Sequence, residues 1–384
     1  MSRRKIIFGA IALVVATVLL MSGLLVYLLQ STLGDAAGAI RLFKALHIIK
    51  SRYVEDVPVD TLMTGAVKGM VNSLGDPHSI YMDPKMYKEF MIETEGSFGG
   101  VGIVLGAKDK VLTVISPIEG TPGEKAGIKS GDEIVKIDGQ DTKGLALDEA
   151  VSKIRGPEGT KVTLTIRRGQ ETKDYALTRS NIQIKTVSGK MLPDNVGYIR
   201  ISMFNENTGS DLAKKYQELE KEGMKAIVLD LRDNPGGLLD ESVKVANKFV
   251  PKGPVVSVIT RDGRRDTSTS NLEAVKYPCA VLINGGSASA SEIVAGAVQD
   301  TGAGTLVGTK SYGKGSVQTL MRLDKDDAIK LTIAKYYTPK DRSINGIGIE
   351  PDVKVELPEH VQPGLEVKDV QLDKAVEIVK SKIQ

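Results

Sequence analysis

A short apolar run, Ala280-Val281-Leu282-Ile283, feeds Asn284-Gly285-Gly286-Ser287-Ala288-Ser289-Ala290-Ser291-Glu292, where small residues permit a sharp turn from strand into helix. A serine at such a helix N-terminus sits beside unpaired amides that favour developing negative charge. Serine is also a preferred N-cap, so this segment alone leaves Ser289 open between capping and nucleophilic roles. A second segment, Gly308-Thr309-Lys310-Ser311-Tyr312-Gly313-Lys314-Gly315-Ser316-Val317-Gln318, comes close to the phosphate-binding pattern G-x-x-x-x-G-K-[ST]. Gly315 stands where that pattern needs a magnesium-binding hydroxyl, and Val317-Gln318-Thr319-Leu320 reads as a strand rather than a helix. A nucleotide site is therefore not expected.

Histidine is the usual partner of a reactive serine, and the chain has His47, His78 and His360. The first two lie in an N-terminal arm and the third near the C-terminus, so a histidine triad around Ser289 is not expected. Cys279 is the single cysteine, which excludes an internal disulfide. Its apolar neighbours favour a core thiol over a catalytic one. No cluster of metal ligands has recognisable spacing, so neither metal nor cofactor is expected. The net charge of +3 is small for 384 residues, and the basic residues are interleaved with acidic ones. That pattern makes no electrostatic case for nucleic acid.

The elements that must position these groups follow from periodicity. Arg3, Arg4 and Lys5 precede an uncharged stretch from Ile6 to Leu29, which as a helix would extend about 36 Å and cross a bilayer core of about 30 Å. Its basic flank predicts a cytoplasmic N-terminus with the rest of the chain outside. Ala37-Gly38-Ala39 would be the cleavage site if this were a signal peptide, but the run exceeds a usual signal core, and an uncleaved anchor is expected. Leu42, Leu46 and Ile49, then Val67, Met70, Val71 and Leu74, recur at helical spacing. Two such short helices must pack on something else, either as a linker or as a dimerisation arm.

From Gly96 to Arg179 the pattern is β-rich, with Gly99-Gly100-Val101-Gly102-Ile103-Val104-Leu105 as a glycine turn feeding a strand, an Asp138-Gly139 hairpin signal, and a helix over 146–154. After Asn181, strands at Val196–Ile201, Ala226–Leu231, Val255–Ile259 and Ala280–Ile283 alternate with helices over 211–222, 238–250 and 289–300. This predicts a layered, partly parallel α/β domain, closed by an amphipathic helix over 370–382.

The β-rich segment resembles a PDZ domain throughout. The resemblance implies that the Gly99 to Gly102 loop presents amides to a substrate's terminal carboxylate, and that Val101 to Leu105 receives the peptide as an added strand. Gly99, Gly100, Val101, Gly102 and Ile103 are then the peptide-binding residues. The two candidate segments, with Asp230-Leu231-Arg232-Asp233-Asn234-Pro235-Gly236-Gly237 and Gly346-Ile347-Gly348-Ile349-Glu350-Pro351-Asp352, resemble the C-terminal processing peptidases, a Ser–Lys family that places a PDZ domain before an α/β catalytic domain. The resemblance implies that Ser289 is the nucleophile, Lys314 the general base, and Gln318 the residue that orients the lysine. It also implies an oxyanion hole from the Ala290 N–H with Gly236 or Gly237.

Physical chemistry agrees with that resemblance. A lysine serves as base only when neutral, which from a reference near 10.4 demands a fall of about three pKa units, about 4 kcal/mol. Glycines, alanine and Tyr312 around Lys314 suit a poorly solvated amine. On the same strand as Lys314 and four positions on, Gln318 projects from the same face as the lysine. The expected architecture is thus an α/β multidomain chain: anchor over 1–30, helical dimerising region over 31–95, PDZ domain over 96–180, and peptidase domain over 181–384. It would be a membrane-bound, single-pass, extracytoplasmic serine endopeptidase, a homodimer acting on proteins with apolar C-termini. The PDZ domain is expected to gate cleavage. A non-catalytic scaffold is the rival, which intact Ser289, Lys314 and Gln318 disfavour.

Overall fold

The structure, a computed structural model, describes residues 3–108, 111–357 and 368–383. His360 lies outside the described residues. Two compact units divide the chain, Met1–Tyr81 and Met82–Gln384.

In the first unit, α1 (Arg3–Leu33) contains Ile11–Leu28, a stretch long and apolar enough to cross a membrane, none of it buried. Asp35 then caps α2 (Ala36–Arg52), its carboxylate accepting the Gly38 N–H at 2.8 Å. Pro58 starts α3 (Val59–Asn72), as a residue with a fixed φ and no N–H does. Leu42 and Ile49, the predicted apolar stripe of α2, are both exposed. A short strand, β1 (Ile80–Met82), spans the boundary between the units.

The second unit opens with α4 (Pro84–Glu95), whose N-cap Asp83 accepts the Met86 N–H and whose C-cap is Gly96 at φ +67°. It runs directly into β2 (Ser97–Gly100), then β3 (Ile103–Lys108), β4 (Val111–Pro117), a helical turn α5 (Pro122–Lys125), β5 (Glu133–Ile137), β6 (Gln140–Asp141) and α6 (Leu147–Ile154). The module closes with β7 (Lys161–Arg168), β8 (Glu171–Thr178) and β9 (Ser180–Gln183). Its sheet has the order β3-β4-β5-β7-β8, with β6 beside β5. Val114, Ile134, Leu164 and Ile166 pack with Ala150 and Ile154 of α6 into one core. Asp138 and Gly139, both at positive φ, close the β5–β6 hairpin as their dipeptide predicts. The glycine turn expected over 99–102 is different: Gly99 and Gly100 belong to β2 and pair with Asn181 and Ser180 of β9. Only Val101 and Gly102 separate β2 from the strand beginning at Ile103.

The rest of the unit contains β10 (Val187–Leu192), β11 (Val196–Ile201), α7 (Thr208–Lys221), β12 (Ala226–Asp230), α8 (Leu239–Ala246), β13 (Gly253–Thr260), β14 (Arg265–Ser270) and β15 (Cys279–Ile283). It continues through α9 (Ala290–Thr301), β16 (Thr305–Gly308), β17 (Ser316–Arg322), β18 (Ala328–Tyr337), β19 (Val353–Lys354) and α10 (Val370–Lys380). One sheet runs β10-β11-β12-β15-β16-β19, parallel from β11 onward. Its central strands are buried along their whole length because both faces are covered. Ile227, Leu229, Val281 and Ile283 face a core shared with α7, α8 and α9, whereas Ala226, Val228, Ala280 and Leu282 face α10. A second, antiparallel sheet places β13 between β14 and β18, with β17 on the far side of β18.

A buried ion cluster fastens α10 beneath the end of β12. Arg232 donates to Asp230 and to Asp369, the N-cap of α10, each at 2.7 Å, and to Gln371 at 3.1 Å. Burial alone would raise the Asp369 carboxyl, but the bonds from Arg232 outweigh it and hold the group below its ordinary value.

Candidate functional site

Both turns of interest leave the carboxyl ends of neighbouring parallel strands, where open α/β sheets place their sites. After β15, Ser289 takes the N-cap position of α9 at φ +54°, a left-handed conformation costly for a non-glycine residue. The flanking serines are buried and committed: the Ser287 hydroxyl donates to Leu231 O at 2.8 Å, and that of Ser291 to Asn234 O at 2.9 Å. Ser289 is only half-buried and lines a cavity of about 350 Å3.

The same cavity is lined by Ala290, Lys314, Gln318, Gly236 and Gly237, so every predicted catalytic and oxyanion residue opens onto one space. After β12, the buried Asn234 stitches the glycine turn to the serine turn. Its carbonyl accepts the Ala288 N–H at 3.0 Å and its side chain accepts the Gly236 N–H at 2.9 Å. Gly236 has φ +102°, and a Cβ there would lie 2.8 Å from Ser289 Cβ. A side chain at this position would push the two turns apart. Because the Gly236 N–H is already used, Ala290 and Gly237 are the candidate donors toward the cavity.

Two residues to which the sequence reading gives no role join the serine and lysine turns. Glu292 is fully buried, and its carboxylate accepts the Ser289 N–H at 2.8 Å and the Lys314 N–H at 2.9 Å through one oxygen. The other oxygen accepts from Gly313 N–H at 2.7 Å and the Ser311 hydroxyl at 2.6 Å. The buried Tyr336 hydroxyl lies 2.6 Å from Lys314 O and 3.1 Å from Ser289 O. Burial, and after it the Glu292 charge, raises this phenol well above its ordinary value, so it remains a donor. The Ser-x-x-Glu spacing of a capping box was the available signal for Glu292. Nothing local signals Tyr336, which arrives from β18.

Two expectations change. Lys314 precedes β17 instead of sharing it with Gln318, and the β17–β18 register shifts between Val317 and Gln318, so alternation along one strand does not relate the pair. The Gln318 amide donates to Ser316 Oγ at 2.9 Å and Thr332 Oγ1 at 3.2 Å. Tyr312, expected to shield the lysine, is 61% exposed, and Tyr336 is the tyrosine packed at this site. The Cys279 thiol is buried and its pKa is pushed up to about 12 by desolvation, as for an unreactive core residue.

A second hollow, about 250 Å3, lies between β3 and α6 and is lined by Gly100, Val101, Gly102 and Ile103 together with Val151, Ile154 and Arg155. Gly99 does not line it; a Cβ there would strike Gly156 O at 2.0 Å. Gly102 has φ +71°, and Val101 points into the core. The Arg155 guanidinium stacks 4.3 Å from the Phe98 ring centroid at the end of the hollow.

Residues 195–355 match the model of peptidase family S41, residues 113–168 that of the PDZ domain, and residues 31–86 that of the activating protease CtpB N-terminal domain. A carboxy-terminal-processing protease of Bartonella bacilliformis is 45% identical over 81% of this chain and 73% of its own length. The carboxy-terminal processing protease CtpA of Bacillus subtilis is 41% identical over 84% of this chain and 70% of its own. Among solved structures, the photosystem II D1 C-terminal processing protease matches at 30% identity and TM-score 0.49, covering 84% of this chain and 95% of that one.

Proposed function

The chain belongs to peptidase family S41, that of its carboxy-terminal processing relatives, and on that premise we propose that it is a membrane-anchored serine endopeptidase acting near substrate C-termini. The observation that carries the reading is the convergence of Ser289, Lys314 and the glycine turn on one cavity, with Glu292 and Tyr336 tying the two reactive turns together. Ser289 Oγ attacks the scissile carbonyl while neutral Lys314 takes its proton. The Ala290 and Gly237 N–H groups receive the oxyanion. The lysine ammonium then returns the proton to the departing amine, and water releases the acyl group by the reverse sequence. Met203, Leu238 and Ile293 line the same cavity and favour an apolar substrate residue.

Continuity of the chain supports PDZ gating. Phe90, Glu93 and Thr94 of α4 line the catalytic cavity, and Phe98, Gly100 and Val101 line the peptide hollow a few residues later. A peptide displacing Phe98 would pull on the wall of the cavity. The full-length chain in detergent should cut an unstructured protein ending in an apolar carboxylate and leave it uncut when that terminus is amidated. Indifference to the terminus removes gating. Binding without cutting either form leaves the scaffold reading instead.

Arg3, Arg4 and Lys5 before the exposed span of α1 support the anchor, and the uncovered apolar stripe of α2 supports a dimer. Both are read from one preparation. The chain should stay with membranes through an alkaline wash and sediment in detergent as two copies. Release into the wash sinks the anchor, and a monomer at every concentration sinks the dimer.

A further inference from the structure

The lining of the catalytic cavity includes a cation that the chemistry above does not use. Lys330 of β18 lines this cavity, half-buried. Its ladder partner is Leu320, and the next pair on the same face is Gln318 with Thr332. One pleat repeat, about 7 Å, therefore separates Lys330 from the Thr332 hydroxyl that receives the Gln318 amide. Among the described residues its ammonium has no carboxylate within ion-pair distance; its contact is the Phe90 ring, 5.4 Å to the centroid. Glu93 also lines the cavity but is exposed and forms no ion pair with it. Burial lowers the Lys330 pKa, and Glu93 offsets this only in part. Farther along the same face, the Arg322 guanidinium lies 5.7 Å from the Tyr87 ring, and the buried Tyr87 hydroxyl has no hydrogen-bond partner among the described residues.

Partly desolvating a cation that no carboxylate pairs directly costs free energy, which an anion arriving with the substrate would offset. Among the described residues lining the cavity, Lys314 is assigned to the chemistry, which leaves Lys330 as the cation available to read charge. We propose that Lys330 is a specificity-determining residue whose ammonium receives a carboxylate of the bound polypeptide, from an Asp or Glu side chain or from its own C-terminus. The assignment rests on the peptidase reading, since it presumes that a polypeptide occupies this cavity.

Binding can be separated from cleavage by using the full-length Ser289→Ala chain in detergent with fluorescent apolar peptides, followed by anisotropy. A single glutamate is walked along an amidated peptide, and one further peptide is neutral with a free terminus. At one position glutamate should strengthen binding about tenfold over glutamine, the size expected of a charge-assisted hydrogen bond. Lys330→Met should erase that ratio, Lys330→Arg should keep it, and Lys330→Glu should prefer lysine at the same position. If only the free-terminus peptide responds to Lys330→Met, the carboxylate is terminal and the proposal stands. Acid-to-neutral ratios that Lys330→Met leaves unchanged, or equal weakening of acidic and neutral peptides, overturn it. Cleavage by the parent chain is scored apart: carboxylate reading without cleavage sinks the peptidase and leaves this site, and the converse sinks only the site.

Discussion

Ser289→Ala and Lys314→Met are each expected to lower kcat by about 10^5-fold or more, and the double variant should be no slower than either single one. Groups that act as a unit in nucleophile activation show this non-additivity, because removing one leaves the other without a task. KM should stay close to that of the parent, since Met203, Leu238, Ile293 and the glycine turn are untouched. The pH profile gives the sign. Lys314 works as base only without its proton, so kcat/KM must climb as pH rises through the pKa of the dyad. A Lys314→Met chain within tenfold of the parent would mean that another group takes the proton. The measurement is steady-state hydrolysis of an internally quenched peptide across pH, with circular dichroism to show that both variants fold.

How far the site could be read without coordinates depended on whether its signal was local. Gly236, Gly237 and Ser289 need unusual backbone angles, and small residues in a strand-to-helix turn announce that need in any sequence. Lys314 stood out by its failed likeness to a phosphate loop. Alternation relates Lys314 to Gln318 only along an unbroken strand, and neither the start of β17 at Ser316 nor its bulge leaves a mark on residue type. Gly99 departs from expectation for a related reason. Glycine is used both where φ is positive and where another backbone passes close, and here Gly156 O passes close. In the α/β domain the alternation of apolar runs with helical stripes was plain, since strands buried on both faces cannot hide their composition. The partners of those elements were not legible. Tyr336 reaches Ser289 O from 47 positions away, and Arg232 reaches Asp369 from 137.

Glu292→Gln should lower kcat by about 10^2- to 10^3-fold with little change in KM, although the substitution is isosteric and the residue is fully buried. The carboxylate accepts two donors on each oxygen: Ser289 N–H and Lys314 N–H on one, Gly313 N–H and the Ser311 hydroxyl on the other. Glutamine replaces one oxygen by an NH2 group, and in either orientation that group meets at least one backbone N–H that cannot turn away. Each buried donor left facing another donor costs about 1–3 kcal/mol. The structure can relieve this only by separating the serine turn from the lysine turn, and a displacement near 1 Å of reacting groups costs about 10^2-fold in rate. Tyr336→Phe removes one shared hydroxyl contact and leaves the carboxylate clamp intact, so about tenfold is expected there. Glu292→Asp should not rescue, because the shorter side chain cannot span both turns. A purely structural role would lower thermal stability while leaving the surviving folded enzyme with parental kcat and pH profile. A role in positioning lowers kcat in the folded enzyme and moves the rising limb of its profile, since the spacing of Ser289 and Lys314 sets how readily the proton passes between them.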